Sequence, residues 1–140
     1  MGFTALWISP ITAQVPNAYH GYYQTDLYSV NSEFGSADDL KNLVSAVHAK
    51  GMYLMLDIVP NHMAYPGCPD KVDYASFNVM GQPSHFHAFC PLQNMQNQTE
   101  VEHCWLGNCN MAMPDLKTDD EQVANELNYW VKQRVSRTTL

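Results

Sequence analysis

Met52-Tyr53-Leu54-Met55-Leu56-Asp57-Ile58-Val59-Pro60-Asn61-His62 is the stretch that decides how this chain reads. Its apolar half, with Ile58 and Val59, has the length and continuity of a buried strand, predicted over 52–59. Its other half packs a carboxylate, an amide and an imidazole into six residues. Polar groups at the C-terminal end of a buried parallel strand are where α/β barrels place ligand chemistry.

Upstream of that strand lies a predicted helix. Ser36 is its expected N-cap, with Asp38 and Asp39 in the first turn, where acidic groups suit the helix dipole. Leu40, Leu43, Val44 and Val47 recur on one face. Gly51 ends it. Before the helix, residues 3–8 form another apolar run ending at Ser9-Pro10, and residues 26–30 suit a short extended piece. Tyr19-His20-Gly21-Tyr22-Tyr23 forms an aromatic loop between them. Strand, helix, strand with continuous apolar strands is a βαβ unit, so the two strands should be parallel and covered on both faces.

Downstream, residues 60–114 lose periodicity and carry all four cysteines, Cys68, Cys90, Cys104 and Cys109. This segment reads as a loop-rich insertion. Thr118-Asp119-Asp120-Glu121 reads as a capping box. The helix it opens should bury Val123, Leu127, Trp130, Val131 and Val135.

Composition sets outer bounds. The 140 residues suit one domain, and 46% are hydrophobic, enough for a core. No apolar run reaches the length of a membrane span. Fourteen acidic against seven basic residues give a net charge of −7, which opposes binding to phosphate backbones. Met1 leads straight into the strand-like Gly2–Ile8, with no secretory signal. Yet an even cysteine count and the acceptor sequence Asn97-Gln98-Thr99 fit a secreted glycoprotein. A chain that begins inside a strand, its leader lost, reconciles the two.

Taken together, these elements resemble the α-amylase family of glycoside hydrolases, in its fungal type. The residues that carry the resemblance are Gly2-Phe3-Thr4-Ala5-Leu6-Trp7-Ile8-Ser9-Pro10, Tyr19-His20-Gly21-Tyr22, Ala37-Asp38-Asp39-Leu40, the stretch from Gly51 to Asp57, Asn61-His62-Met63, Cys104-Trp105-Leu106-Gly107 and Met113-Pro114-Asp115-Leu116. The likeness runs to about Val135. It implies an α/β fold, a (β/α)8 TIM barrel with an irregular domain B inserted after the third strand. A whole barrel takes roughly 250 residues. This chain would supply strands two and three in residues 1–59, the inserted domain in 60–115, and a barrel helix with a truncated end in 116–140.

The resemblance assigns roles. Asn61 and Asp115 match calcium ligands through their side chains, and Glu102 matches one through its backbone carbonyl. Oxygen-only coordination is calcium chemistry. By their residue types alone, Asn61 could instead cap a turn and Asp115 be a solvated acid. His62 and Tyr22 match residues that hydrogen-bond and stack on the sugar at the bond to be cleaved. Tyr23 stands where relatives often carry Trp, and His20 matches a pocket histidine. Core aromatics near a turn are the alternative for Tyr19, Tyr22 and Tyr23. Asp57 would position an arginine beyond Leu140 and, alone, would be an unpaired acid. Cys90 and Cys104 match a family disulfide. Cys68 and Cys109 stand where relatives have other residues, and their joint appearance suggests a second bridge. Four cysteines allow three connectivities. A rival is zinc on His85, His87, Cys90 and Cys104, though the spacing fits no usual finger.

The implied parent is a secreted, retaining, endo-acting α-1,4-glucan hydrolase acting on starch, glycogen and maltooligosaccharides, with Ca2+ as its cofactor. Retaining glycosidases need two carboxyl groups about 5–5.5 Å apart. The family places its nucleophile, acid/base and supporting aspartate on strands past Leu140, so this chain alone is expected to be inactive. Two alternatives stand: a non-catalytic binding or structural relative, and an α-glucosidase or transglycosylase of the same family.

Overall fold

The structure is a computed structural model that describes residues 2–138. Strand β1 (Ala5–Ile8) pairs in parallel with β4 (Tyr53–Leu56), with Trp7 opposite Met55 and Ile8 opposite Leu56. Between them lie β2 (Thr12–Gln14), β3 (Gln24–Val30) and helix α1 (Ala37–His48). The parallel βαβ unit is therefore present. Two things differ from expectation. The strands are shorter than predicted, and they are exposed rather than covered on both faces. Trp7, Tyr53 and Met55 are 73%, 76% and 57% exposed. Leu54 and Leu56, on the opposite face of β4, are half-buried, and α1 packs against that strand.

Helix α1 begins as its sequence dictates. The Ser36 hydroxyl accepts from the Asp39 amide, and the Asp39 carboxylate accepts from the Ser36 amide. Val44 and Val47 are buried, while Leu43 remains exposed. β2 and β3 form an irregular antiparallel ribbon. The sequence shows β3 only as a short piece over 26–30 and gives no hint of β2.

The main core lies elsewhere. It joins Leu27 of β3, Met63, Phe77, Met80, Phe86, Trp105 and Leu116 from the irregular segment, and Val123, Leu127 and Trp130 from helix α3 (Glu121–Thr138). That segment holds 3-10 turns, the short helix α2 (Gln98–His103), and the two-residue strands β5 (Leu106–Gly107) and β6 (Ala112–Met113), which pair antiparallel. Disulfides Cys68–Cys109 and Cys90–Cys104 tie its loops together. They also remove the zinc set of His85, His87, Cys90 and Cys104, because disulfide sulfurs are not thiolate ligands.

Two expectations for α3 are corrected. Asp120, not Thr118, caps it: its Oδ1 accepts from the amides of Gln122 and Val123, and the helix starts at Glu121. Val135 is 55% exposed, and Arg134 turns inward to donate to the Leu27 carbonyl. Trp130 Nε1 donates to the same carbonyl, so the end of α3 is pinned to β3.

Candidate functional site

The site is built at the C-terminal end of β4. Gly21 first brings the aromatic loop there. Its φ is +87°, and a Cβ would sit 2.9 Å from the Pro10 carbonyl oxygen, so the Tyr19–Tyr23 loop closes over the end of β1 only with glycine. The Tyr22 hydroxyl then donates to Asp57 Oδ2 at 2.9 Å. Asp57 is thus partnered, contrary to the expectation of an isolated acid. That contact pushes the Tyr22 hydroxyl above its ordinary pKa, first through the hydrogen bond and then through the carboxylate charge. His20 stacks on Tyr22, with ring planes 13° apart, and meets Tyr23 edge-on. Its Nδ1 accepts from the Tyr22 amide at 3.0 Å.

His62 is buried, with both ring nitrogens engaged. Nε2 lies 3.0 Å from the Tyr22 carbonyl oxygen, and Nδ1 lies 3.1 Å from Asn61 Nδ2. Together these fix one tautomer: Nε2–H donates to the carbonyl, and Nδ1 accepts from the amide. Burial holds the ring below the usual histidine pKa, with the Tyr22 carbonyl opposing that shift. A sugar hydroxyl reaching His62 would have to take over one of these bonds.

Asn61 also reaches Asp115, Nδ2 to Oδ1 at 3.3 Å. Residues 62 and 115 are bridged antiparallel, and the Leu116 amide donates to the Asn61 carbonyl. The strand end and the irregular segment are therefore stitched together at the two side chains the sequence singled out. Asp115 is only 4% exposed. Burial pushes its carboxyl above the usual aspartate pKa, partly offset by His87, whose Nδ1 sits 2.8 Å from Oδ2. Such a carboxylate gains from a nearby cation. Asn61, Glu102 and Asp115 line one cavity of about 370 Å³ with His87, His103 and Asp119. A larger hollow of about 410 Å³, between β1 and α1, is lined chiefly by Ile8, Ile11, Tyr19, Phe34 and Leu40. Its carboxylate, Asp39, is spent on the helix cap, so the chemistry is not there.

Sequence reading missed Gln24. It is fully buried, and its Nε2 donates to the carbonyls of Val59 and His62, holding the backbone that presents Asn61 and His62. It also missed the approach of His103 and Asp119 to His87. A lone glutamine at a strand start and a histidine before a cysteine carry no spacing signal. Their meaning comes only from contacts across the fold.

The Alpha-amylase family, described as "Alpha amylase, catalytic domain", matches residues 1–139. The chain belongs to the α-amylase family. Among curated relatives, Alpha-amylase 2 of Schwanniomyces occidentalis is 46% identical over 146 residues, covering 100% of this chain and 29% of its own length. The Alpha-amylase of Saccharomycopsis fibuligera is 41% identical, covering 100% of this chain and 30% of itself. The solved α-amylase from Malbranchea cinnamomea superposes with a TM-score of 0.93 at 43% identity, covering 99% of this chain and 30% of that one. An α-amylase from Geobacillus thermoleovorans, solved in complex with acarbose, superposes at 0.82 with 31% identity, over 99% of this chain and 29% of that one. The chain thus spans less than a third of the length of these relatives, and its described residues form part of a TIM barrel without closing it.

Proposed function

We propose that this chain supplies the calcium-binding and sugar-contacting edge of a retaining, endo-acting α-1,4-glucan hydrolase. One observation carries the reading: Asn61, His62, Tyr22, Asp57 and Asp115 form a single hydrogen-bonded chain at the end of β4. The donor set fits calcium. Asn61 spends its Nδ2 on His62 and Asp115, which leaves Oδ1 as the coordinating atom. Asp115 offers a buried carboxylate, and Glu102 lines the same cavity. Bound calcium would supply a positive charge that ties the strand end to the irregular segment. Tyr22, at 45% exposure, presents a flat face to a sugar, with His20 stacked on its other side and Tyr23 edge-on to His20. Asp57 is engaged as an acceptor and serves as a positioning group. The nucleophile and the acid belong to chain outside residues 1–140. The parent protein is extracellular, in keeping with two disulfides and an exposed Asn97 as a glycan acceptor.

The test uses the full-length protein containing this chain, with starch as substrate. The expected result is internal cleavage that first releases the α-anomer, and no reducing sugar from residues 1–140 alone. Calcium at 100 times its Kd should stabilise the protein by about 2.7 kcal/mol. Asn61→Ala and Asp115→Asn should abolish that gain. Release of the β-anomer, activity of the isolated chain, or an undiminished calcium effect in both variants would each overturn the corresponding part.

A further inference from the structure

We propose that His87, His103 and Asp119 form a second metal site, for a divalent transition ion of the zinc class, beside the calcium position. Each ring is already oriented as a metal-bound imidazole would be. His87 Nδ1 faces the Asp115 carboxylate at 2.8 Å, and His103 Nδ1 faces the Thr99 carbonyl at 2.9 Å. Both partners are acceptors, so Nδ1 is the donor in each ring, and in the neutral imidazole that leaves Nε2 with its lone pair. A carboxylate or carbonyl behind the distal nitrogen is the arrangement that orients metal-binding histidines and raises their basicity.

The two rings and the Asp119 carboxylate converge. The two rings lie 4.6 Å apart, centre to centre, in the wall of the 370 Å³ cavity. The His87 side chain is only 10% exposed, and its Nε2 is buried without a hydrogen bond. Asp119 Oδ1 lies 3.3 Å from that atom. Two ligands of a tetrahedral zinc, with bonds of about 2.0–2.1 Å, sit roughly 3.4 Å apart. The His87–Asp119 pair already has that spacing, and one ligand atom from each of the three residues falls within 4.8 Å of the others. Asp119 is largely exposed, so its side chain can close on an ion by rotation while both rings keep their Nδ1 contacts.

The chemistry separates this site from the calcium position. Two imidazole nitrogens and one carboxylate suit zinc, whereas calcium takes oxygen ligands. The donor atoms differ from those of Asn61, Glu102 and Asp115, and Asp115 serves here only behind His87. The proposal does not depend on calcium being bound. Three protein ligands leave the fourth tetrahedral position to water. The competing explanation is that His87 simply bridges the Asp115 and Asp119 carboxylates, which needs no metal.

The test is calorimetric titration of Zn2+ into the calcium-saturated, full-length protein. One zinc should bind per chain without releasing calcium. His103→Gln and Asp119→Asn should each weaken it by more than the roughly 10–100-fold that follows loss of an outer-shell partner. Neither should alter the calcium-dependent rise in melting temperature, which also reports that the variants fold. Co2+ in place of zinc should give the intense visible absorption of a four-coordinate site. No zinc uptake, equal uptake by both variants, uptake only as calcium leaves, or a weak six-coordinate cobalt spectrum would each overturn the proposal.

Discussion

Gln24 shows how much of the site rests on one side chain with no catalytic character. Its amide nitrogen serves the Val59 and His62 carbonyls, and its Oε1 faces the Thr12 hydroxyl at 3.4 Å. Gln24→Leu keeps the volume and removes every one of these bonds. Each orphaned buried carbonyl costs roughly 1–3 kcal/mol. We expect a clear fall in melting temperature together with weaker calcium binding, because the backbone carrying Asn61 and His62 loses its anchor. An isothermal calcium titration beside a thermal melt separates the two effects. A variant with lower stability and unchanged calcium affinity would show that Gln24 supports the fold without setting the site. At this scale the sequence was legible only where residue type and neighbours agree. Asn61 and His62 stand out because amide and imidazole follow a strand-like run, whereas Asp115 stands out only through the family resemblance. The pairing of His87 with Asp115 spans 28 residues and that of Gln24 with His62 spans 38, so no local pattern records either.

Helix α1 was readable at its start and at Val44 and Val47 because those determinants are local, although Leu43 of the same apolar face stays exposed. Ser36, Asp39, Val44 and Val47 act within one or two turns. Ser36→Ala should cost about 1 kcal/mol, the usual value of a lost N-cap. The pH dependence has a definite sign. The Ser36 hydroxyl, and then its amide, hold the Asp39 carboxyl below its ordinary value of 3.8. A lowered folded pKa stabilises the protein above the unfolded value and ceases to do so as pH falls through the folded one. The gap between wild type and variant should therefore be constant above the ordinary aspartate range and shrink in stronger acid. Chemical denaturation across that range measures it, and a gap that widened with acid would contradict the cap. Helix α3 was legible over Val123, Leu127 and Trp130, whose spacing is helical. Its far end was not, since Arg134 turns inward to reach Leu27 107 residues away. The β2–β3 ribbon escaped for a related reason. Its register shifts between Thr12 and Ala13 and again between Ala13 and Gln14, so period-two alternation never develops.

At the scale of the whole molecule, the two-stranded parallel sheet is the part least satisfied by its own chain. Ala5, Trp7, Tyr53 and Met55 share one face through the parallel register, and all four are exposed. The opposite face, with Leu54 and Leu56, is the one α1 partly covers. In a closed barrel, helices pack outside while the other face of each strand fills the interior. The same register therefore makes opposite demands in two settings. In the 140-residue chain alone, the Trp7 face and both strand edges invite association. Within a complete barrel, Trp7 and Tyr53 would be core residues, where Trp→Ala typically costs about 3–5 kcal/mol. Trp7→Ala combined with Tyr53→Ala should accordingly reduce self-association of the isolated chain, read by sedimentation velocity. The same pair should lower the melting temperature of the full-length protein. Opposite signs in the two settings would place this face inside a barrel. A full-length protein that tolerated both changes would mean that the face is covered by something other than neighbouring strands, because a barrel interior cannot lose two large aromatics without leaving cavities.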